Sequence, residues 1–351
     1  MSGQPAELVE PTKELAGEWE ELAMRTDCSP FSYPGWILAW SRSFAPDRLA
    51  LVTIRRGGRL TGVLPLVRLR GVLASPTNWH TPRFGPLAED DGALADLARA
   101  ALDEAKIRVD VSFIESGSTF LEACGQLTAS GRCKAVIRPL QRSPYLETTG
   151  TWSQYESRFT SKMRNKQRRL RRRLDELGAV SIDVADGRTD LQDLVMEGLR
   201  VEAAGSVKKT PILADTRTAG FYKAVANWAA ERGWLRLWFL RIDGRAVAFG
   251  YGFEQGGRYY DIKVGFDPEY RKYGPGRILL QAKIKHAFET SLNRFEFLGG
   301  ADPYKLEWTD TLQELNRAQL FRRNPAGSTD YLVWRWGRPL VKRLTGGASA
   351  D

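Results

Sequence analysis

Apolar positions along this chain recur with two periods, and the alternation between them marks out the elements. In "AVSIDVAD", Val180, Ile182 and Val184 alternate with polar residues, as a half-buried strand requires. From about Pro275 the period lengthens: Leu280, Ile284, Phe288 and Leu292 fall every four positions, one buried stripe of a helix. Helical stretches are expected near 189–203 and 218–232, and strands in "RYYDIKVGF", "RFEFLGG" and "LNRAQLFRR". The second half therefore reads β-α-α-β-β-β-α-β-α-β, a mixed α/β layer.

The same patterning exposes an internal repeat. "LALVTIRRGGRLTGVLPLV" from Leu49 overlays "LRLWFLRIDGRAVAFGYGF" from Leu235 without a gap. Identities fall at Leu49/Leu235, Leu51/Leu237, Arg55/Arg241, Gly58/Gly244 and Arg59/Arg245. Both copies read strand, Gly-Gly or Asp-Gly turn, strand, the signal of a tight hairpin. An aromatic-rich helical stretch precedes each, "YPGWILAWSRSF" and "TAGFYKAVANWAAERGW". Duplication explains the match better than two unrelated hairpins.

Between the halves Phe159, Met163, Leu170, Leu174 and Leu177 form a helical stripe that stops at Gly178. Charge changes the picture here. Residues 162–173 hold eight basic side chains and no acid; without those eight, the net charge of +10 falls to +2. The basicity is one local feature, either a solvated face of a linking helix or a contact for tRNA or another anionic partner. The boundaries expected are a first domain over 1–145, the basic linking helix over 146–178, a second domain over 179–330, and an amphipathic segment with a disordered tail over 331–351. In that last segment Trp334 and Trp336 are expected to pack against the second domain, with interfacial membrane contact as the sharper alternative.

Composition excludes several classes. At 42% hydrophobic and 11% aromatic residues the chain can bury cores of two domains. It has no apolar run of transmembrane length, and its first residues lack a signal pattern, so a cytoplasmic location is expected, with peripheral membrane contact open. Three cysteines, Cys28, Cys124 and Cys133, lack CxxC spacing and read as reduced structural thiols. Two histidines, His80 and His286, argue against a histidine metal cluster, and no GxSxG elbow supports a serine nucleophile.

The sharpest candidate chemistry lies in "RKYGPGRILL". Arg271, Gly274 and Gly276 fit R-x-x-G-x-G after a strand and at the mouth of a helix. Glycines let backbone N–H groups turn toward an anion, and the first N–H groups of a helix have no internal partner. The helix dipole attracts a pyrophosphate, and Pro275 is at home in the first turn. A plain helix-capping turn would have the same residues. On "RYYDIKVGF", a period of two puts Tyr259, Asp261 and Lys263 on one face and Tyr260, Ile262 and Val264 on the other.

Strand order, hairpin and glycine loop together resemble the GNAT acyltransferase superfamily. More closely, the chain is similar to the CelD/BcsL-type acetyltransferase family, related to the Fem-type peptidyltransferases built from two GNAT-like domains. The resemblance is carried by "FSYPGWILAW", "GRLTGVLPL", "RNKQRRLRRRLDELG", "FYKAVANWAAERGWLRLWFLRIDGRAVAFGYGF", "PGRILL" and "FEFLGGADPYKLEW", and spans residues 30–323. It implies two tandem GNAT-like domains, the first degenerate and the second holding acyl-CoA, acetyl-CoA above all, on the loop. Cofactor contacts would be Val264 (through its N–H, as oxyanion donor), Arg271, Gly274, Gly276 and Arg277. Acid–base residues would be Glu202, Asp302, Tyr304 and Lys305, with Asp302 also placed to cap the next helix. Lys208, Tyr260 and Asp261 would meet the acceptor. The implied reaction is direct N-acyl transfer to an amine, of a small molecule or glycan precursor, in polysaccharide, cell-envelope or natural-product metabolism, with no metal. Two alternatives stay open: a Fem-type transferase using aminoacyl-tRNA, and a non-catalytic scaffold that binds an anionic polymer.

Overall fold

The computed structural model describes residues 6–205 and 210–337. Met1–Arg142 with Gln313–Asp351 form one unit and Ser143–Leu312 the other.

The first unit opens with β1 (Glu7–Val9), α1 (Lys13–Arg25) and α2 (Pro34–Phe44). The hairpin β2 (Leu49–Arg56) and β3 (Arg59–Leu69) follows, then β4 (Val72–Ala74), β5 (Leu87–Ala88), α3 (Asp91–Glu104), β6 (Arg108–Glu115) and α4 (Thr119–Ala129). The strand β7 (Cys133–Glu147) leads the chain into the second unit. That unit continues with α5 (Trp152–Ser157), α6 (Ser161–Asp175), β8 (Val180–Ala185), α7 (Leu191–Gly205) and α8 (Thr216–Glu231). Next come β9 (Leu235–Ile242), β10 (Arg245–Gln255), β11 (Arg258–Phe266), a 3-10 turn over Pro268–Tyr273, α9 (Pro275–Glu289), β12 (Arg294–Glu296) and α10 (Pro303–Leu306). Finally β13 (Leu312–Arg322) and α11 (Pro325–Leu332) return to the first unit.

The two units repeat one plan. In the first, β1 pairs antiparallel with β2, β2 with β3 and β3 with β4, while β4 lies parallel to β6. In the second, β8, β9, β10 and β11 pair antiparallel in turn, and β11 lies parallel to β12. The closing strands are exchanged. β6 takes β13, from the far end of the chain, as its antiparallel neighbour, and β12 takes the end of β7.

The duplication extends to single residues. Gly57–Gly58 and Asp243–Gly244 all have positive φ, the turn whose twist matches a two-residue hairpin. Each hairpin is bulged at the same place, Thr61 in one and Val247 in the other having no partner in the register. Arg55 donates to the Gly58 carbonyl and to Glu18 of α1; Arg241 donates to the Gly244 carbonyl and to Glu197 of α7.

In the second unit helices cover both faces of the sheet. Because side chains alternate along a strand, β10 sends Phe249 and Tyr251 one way and Gly250 and Gly252 the other. The Phe249 ring fills the space beside Gly198 of α7, and the Tyr251 hydroxyl donates to the Tyr222 carbonyl of α8. On the opposite face Leu279, Ile284 and Phe288 of α9 share a core with Trp238, Leu240, Tyr259, Phe295, and Leu170 and Leu174 of α6.

Two expectations change. The stripe at 159–177 is not one helix: Thr160 caps α6 by accepting from the Met163 N–H, leaving Phe159 buried ahead of it, and Leu177 lies beyond its end, exposed. Trp334 packs in the first unit instead of against the second, beside Val136 and Phe321, with the Arg317 guanidinium 4.7 Å from its ring centre. Residues 338–351, including the expected disordered tail, lie outside the described residues. No helix among the described residues is long and apolar enough to cross a membrane.

Candidate active site

The site is built where two parallel strands part. β11 and β12 are paired at Arg258/Arg294, Tyr259/Phe295 and Tyr260/Glu296, and no rung follows. On its other side β11 stays paired with β10, but Ile262 is skipped: Asp261 faces Gly252 and Lys263 faces Tyr251. This bulge corrects the simple alternation expected along "RYYDIKVGF", since one extra residue flips every later side chain. Tyr259 and Asp261 face α9, whereas Lys263 lies over the Tyr222 ring of α8, 5.7 Å from its centre.

The bulge also sets the backbone. The Asp267 N–H donates to the Val247 carbonyl of β10 at 2.9 Å. Successive residues of a strand aim their N–H groups to opposite sides, so that of Val264 points away from β10, to the edge β12 has left. The Val264 side chain is exposed. Two residues on, the Phe266 ring packs on the glycine loop, where a Cβ at Gly276 would stand 3.2 Å from Cδ1.

Asp267 opens that loop by capping the 3-10 turn, and Gly274 closes it at φ 65°, a left-handed conformation that Gly adopts at no steric cost. The Gly274, Arg277 and Ile278 N–H groups bond within the loop, to the carbonyls of Arg271 and Gly274. The Gly276 N–H has no such bond among the described residues. Leu170 of α6 packs against Gly274, with Cδ1 3.0 Å from where a Cβ would stand. The basic helix is thus laid along the loop, with the Arg173 guanidinium over the Tyr273 ring. Arg171 and Arg172 pair with Asp175 and Glu176 at the end of α6 and Lys166 with Glu307, leaving Lys162, Arg164, Arg168, Arg169 and Arg173 without an acidic partner among the described residues. Arg271 is exposed, over the Phe266 ring. Arg277 is turned inward, bonded to Glu307 and stacked on Trp308.

The "GGADPYK" stretch forms a second cluster. Lys305 is buried, and its ammonium group donates to the carbonyls of Leu298 (2.8 Å) and Gly300 (3.0 Å) and pairs with Asp302 (2.9 Å). All three of its protons are thereby engaged in holding the turn. Asp302 occupies the N-cap position of α10, but its carboxylate is drawn to Lys305 and makes no capping bond, contrary to the capping role expected. Tyr304 is 45% exposed. Asp261 lies close enough to both Tyr304 and Lys305 for its charge to act on them.

Lys283, on α9, was not singled out by the periodic reading. It is wholly buried, and its Nζ donates to Asp261 Oδ1 at 2.6 Å. Burial pushes the Asp261 carboxyl above the usual range against the pull of Lys283, and pushes the lysine below its own. Two sequence signals could have revealed the pair. Lys283 falls with Leu280, Ile284 and Ala287 on the buried face, and Gly250 and Gly252 remove side chains from the strand face it meets.

The remaining expected residues lie apart from this cluster. Glu202 of α7 has its Cα against Gly265, and its carboxylate accepts from the Ile212 N–H at 3.1 Å. Tyr260 is 1% exposed and lines no open surface. Lys208 lies outside the described residues.

Residues 161–306 match the family model described as acetyltransferase (GNAT) domain. No curated protein is similar to the chain in sequence. Among solved structures the fold is similar to FemX (TM-score 0.62, 12% identity, covering 93% of this chain and 99% of that one). It is also similar to L-PGS from Bacillus licheniformis (0.59, 12%, 93% and 97%) and to a conserved protein of unknown function from Bacteroides thetaiotaomicron (0.53, 13%, 90% and 100%). Such identities establish a shared fold. Residues 161–306 thus resemble a GNAT acetyltransferase domain, and the chain is a transferase enzyme.

Proposed function

We propose that the protein is an acyl-CoA-dependent N-acyltransferase, with acetyl-CoA as the simplest donor and direct transfer to an amine. The observation that carries this reading is the continuity of two main-chain donors. The Val264 N–H faces the parted strand edge, and Phe266, two residues later, abuts Gly276, whose N–H is unbonded at the mouth of α9. A diphosphate on the loop would meet the Gly276 amide, the helix dipole and the exposed Arg271. The thioester carbonyl would then lie along β11, its developing oxyanion served by Val264. Holding donor and amine together supplies much of the acceleration in such a transfer. In this reading Arg277 braces the loop through Glu307, and Lys305 with Asp302 holds the turn that presents Tyr304 to the acceptor.

Isothermal titration with acetyl-CoA tests the donor. Binding is expected at micromolar to submillimolar levels. Arg271→Ala should weaken it about tenfold, one exposed charge-assisted contact being worth about 1.4 kcal/mol, and Gly276→Val should abolish it by filling the phosphate cradle. Absence of binding at millimolar acetyl-CoA would sink the reading.

A second reading, donation from aminoacyl-tRNA, is favoured by one observation: α6 lies directly on the glycine loop with five basic side chains free of acidic partners among the described residues. It predicts tRNA binding that weakens by about 0.9 log units per tenfold rise in salt for each phosphate neutralised, with indifference to CoA.

A further inference from the structure

The buried Lys283–Asp261 pair has no part in the roles assigned above, and its placement is costly. Taking each charge out of water is unfavourable, which attraction repays only in good geometry; apolar replacements are often as stable or more so. Yet the strand is shaped to admit the pair. A Cβ at Gly250 would stand 3.1 Å from the Lys283 Nζ, and one at Gly252 would stand 2.3 Å from the Tyr259 hydroxyl.

Position supplies the reason. Asp261 is the first residue past the last β11–β12 rung and the last before the bulge, so it sits at the apex of the opening. Lys283 holds Oδ1; Oδ2 makes no hydrogen bond among the described residues and is not among the sealed, unsatisfied atoms. Val264 lies three residues along β11, about 10 Å by strand rise, a span that an acyl carbon, an attacking nitrogen and one water fill. The charged and titratable groups facing Asp261 are Lys283 from α9, Lys305 and Tyr304 from α10, and Tyr259 from its own strand.

We propose that Asp261 is the proton acceptor of the acyl transfer, with Lys283 as the positioning residue that fixes one carboxylate oxygen and leaves the other to the substrate. The proposal rests on the acyl-CoA reading for its donor. The amine nitrogen forms the N–C bond to the thioester carbon. The C–S bond breaks, and its electron pair leaves with the thiolate, which water protonates. The surplus proton on nitrogen passes to Asp261 Oδ2 and on to solvent. Burial suits the carboxylate to this, since a base raised toward neutrality is stronger than an ordinary aspartate.

The test uses the full chain, acetyl-CoA, and a panel of amines: glucosamine, ethanolamine, putrescine and a lysine-containing peptide. CoA thiol release is followed from pH 4 to 9.5 at saturating amine, so that the acidic limb reports the enzyme and not the free amine, and acetyl-CoA affinity is measured separately. Asp261→Asn should lower kcat at least about a hundredfold and erase the acidic limb of the pH profile, with acetyl-CoA affinity unchanged. Lys283→Met should move that limb to higher pH, as loss of the neighbouring cation raises the carboxyl further, a shift that a merely structural role would not produce. Should either single variant fail to fold by circular dichroism, Asp261→Asn/Lys283→Met, which leaves no buried charge, should show the same loss as Asp261→Asn. Retention of the acidic limb and of a tenth or more of the rate in a folded variant lacking Asp261 would overturn the proposal. So would acetyl-CoA binding by the wild type without CoA release for any amine, an outcome that spares the donor reading. Absence of acetyl-CoA binding removes the donor reading and the proposal with it.

Discussion

Asp110 shows how much one side chain organises. It is buried on β6, accepts two bonds from Arg317 and one from Gln319, both on β13, and lies beside Arg108. Burial alone would raise its pKa, but these partners outweigh burial and hold it below the usual carboxylate range. A depressed folded-state pKa contributes stability that is complete above the unfolded value, near pH 4, and is lost as the pH falls through the folded one. Asp110→Asn is therefore expected to cost about 2–3 kcal/mol at pH 7, discounted because Arg317 is partly exposed. The penalty should shrink toward pH 3; urea unfolding of both proteins at the two pH values checks it, and a penalty that does not change with pH would refute the assignment. At the same scale, burial pushes Cys28 up to about 11 and Cys124 to about 12, in keeping with free, unreactive thiols.

The hairpins set the element scale. Each needs two consecutive residues of positive φ, and Gly-Gly and Asp-Gly meet that need locally. Gly244→Ala, at φ 81°, should cost about 1–2 kcal/mol, read as a lower urea midpoint with unchanged slope; no loss would mean that the turn relaxes to another type. The equivalent arginines and bulges show why the repeat was readable: Arg55 and Arg241 reach back to their own turn carbonyls, an interaction within one hairpin. The course of β11 was not readable. A bulge at Ile262 obeys no local period, because it depends on how β10 pairs across from it. Lys283 was hidden for a related reason: on a helix a lysine reads as solvent-facing until the strand beneath it is known to lack side chains.

At the scale of the whole molecule, the exchange of closing strands has a measurable consequence. Residues 1–142 alone would leave the β6 edge unpaired and Asp110 without its β13 partners. Residues 143–312 contain their own closing strand segment at the end of β7. A chain ending at residue 312 should therefore keep a folded second unit and lose the first, with protease resistance confined to residues 143–312. Resistance of 1–142 in that truncated chain would show that the first unit does not depend on β13.

The sequence by itself determined what depends on neighbours a few residues away: the helices and strands of the second half, the duplicated hairpins, the glycine loop at a helix mouth and the isolated basic helix. These follow from side-chain periodicity and from the backbone freedom of glycine, which are local. Tertiary structure decided which strands close each unit, that α6 lies on the loop, that Lys305 is spent on holding a turn, and that Asp261 meets Lys283 where β11 and β12 part. Pairing between distant segments depends on the shape and burial of both partners at once, and no single stretch of chain contains both.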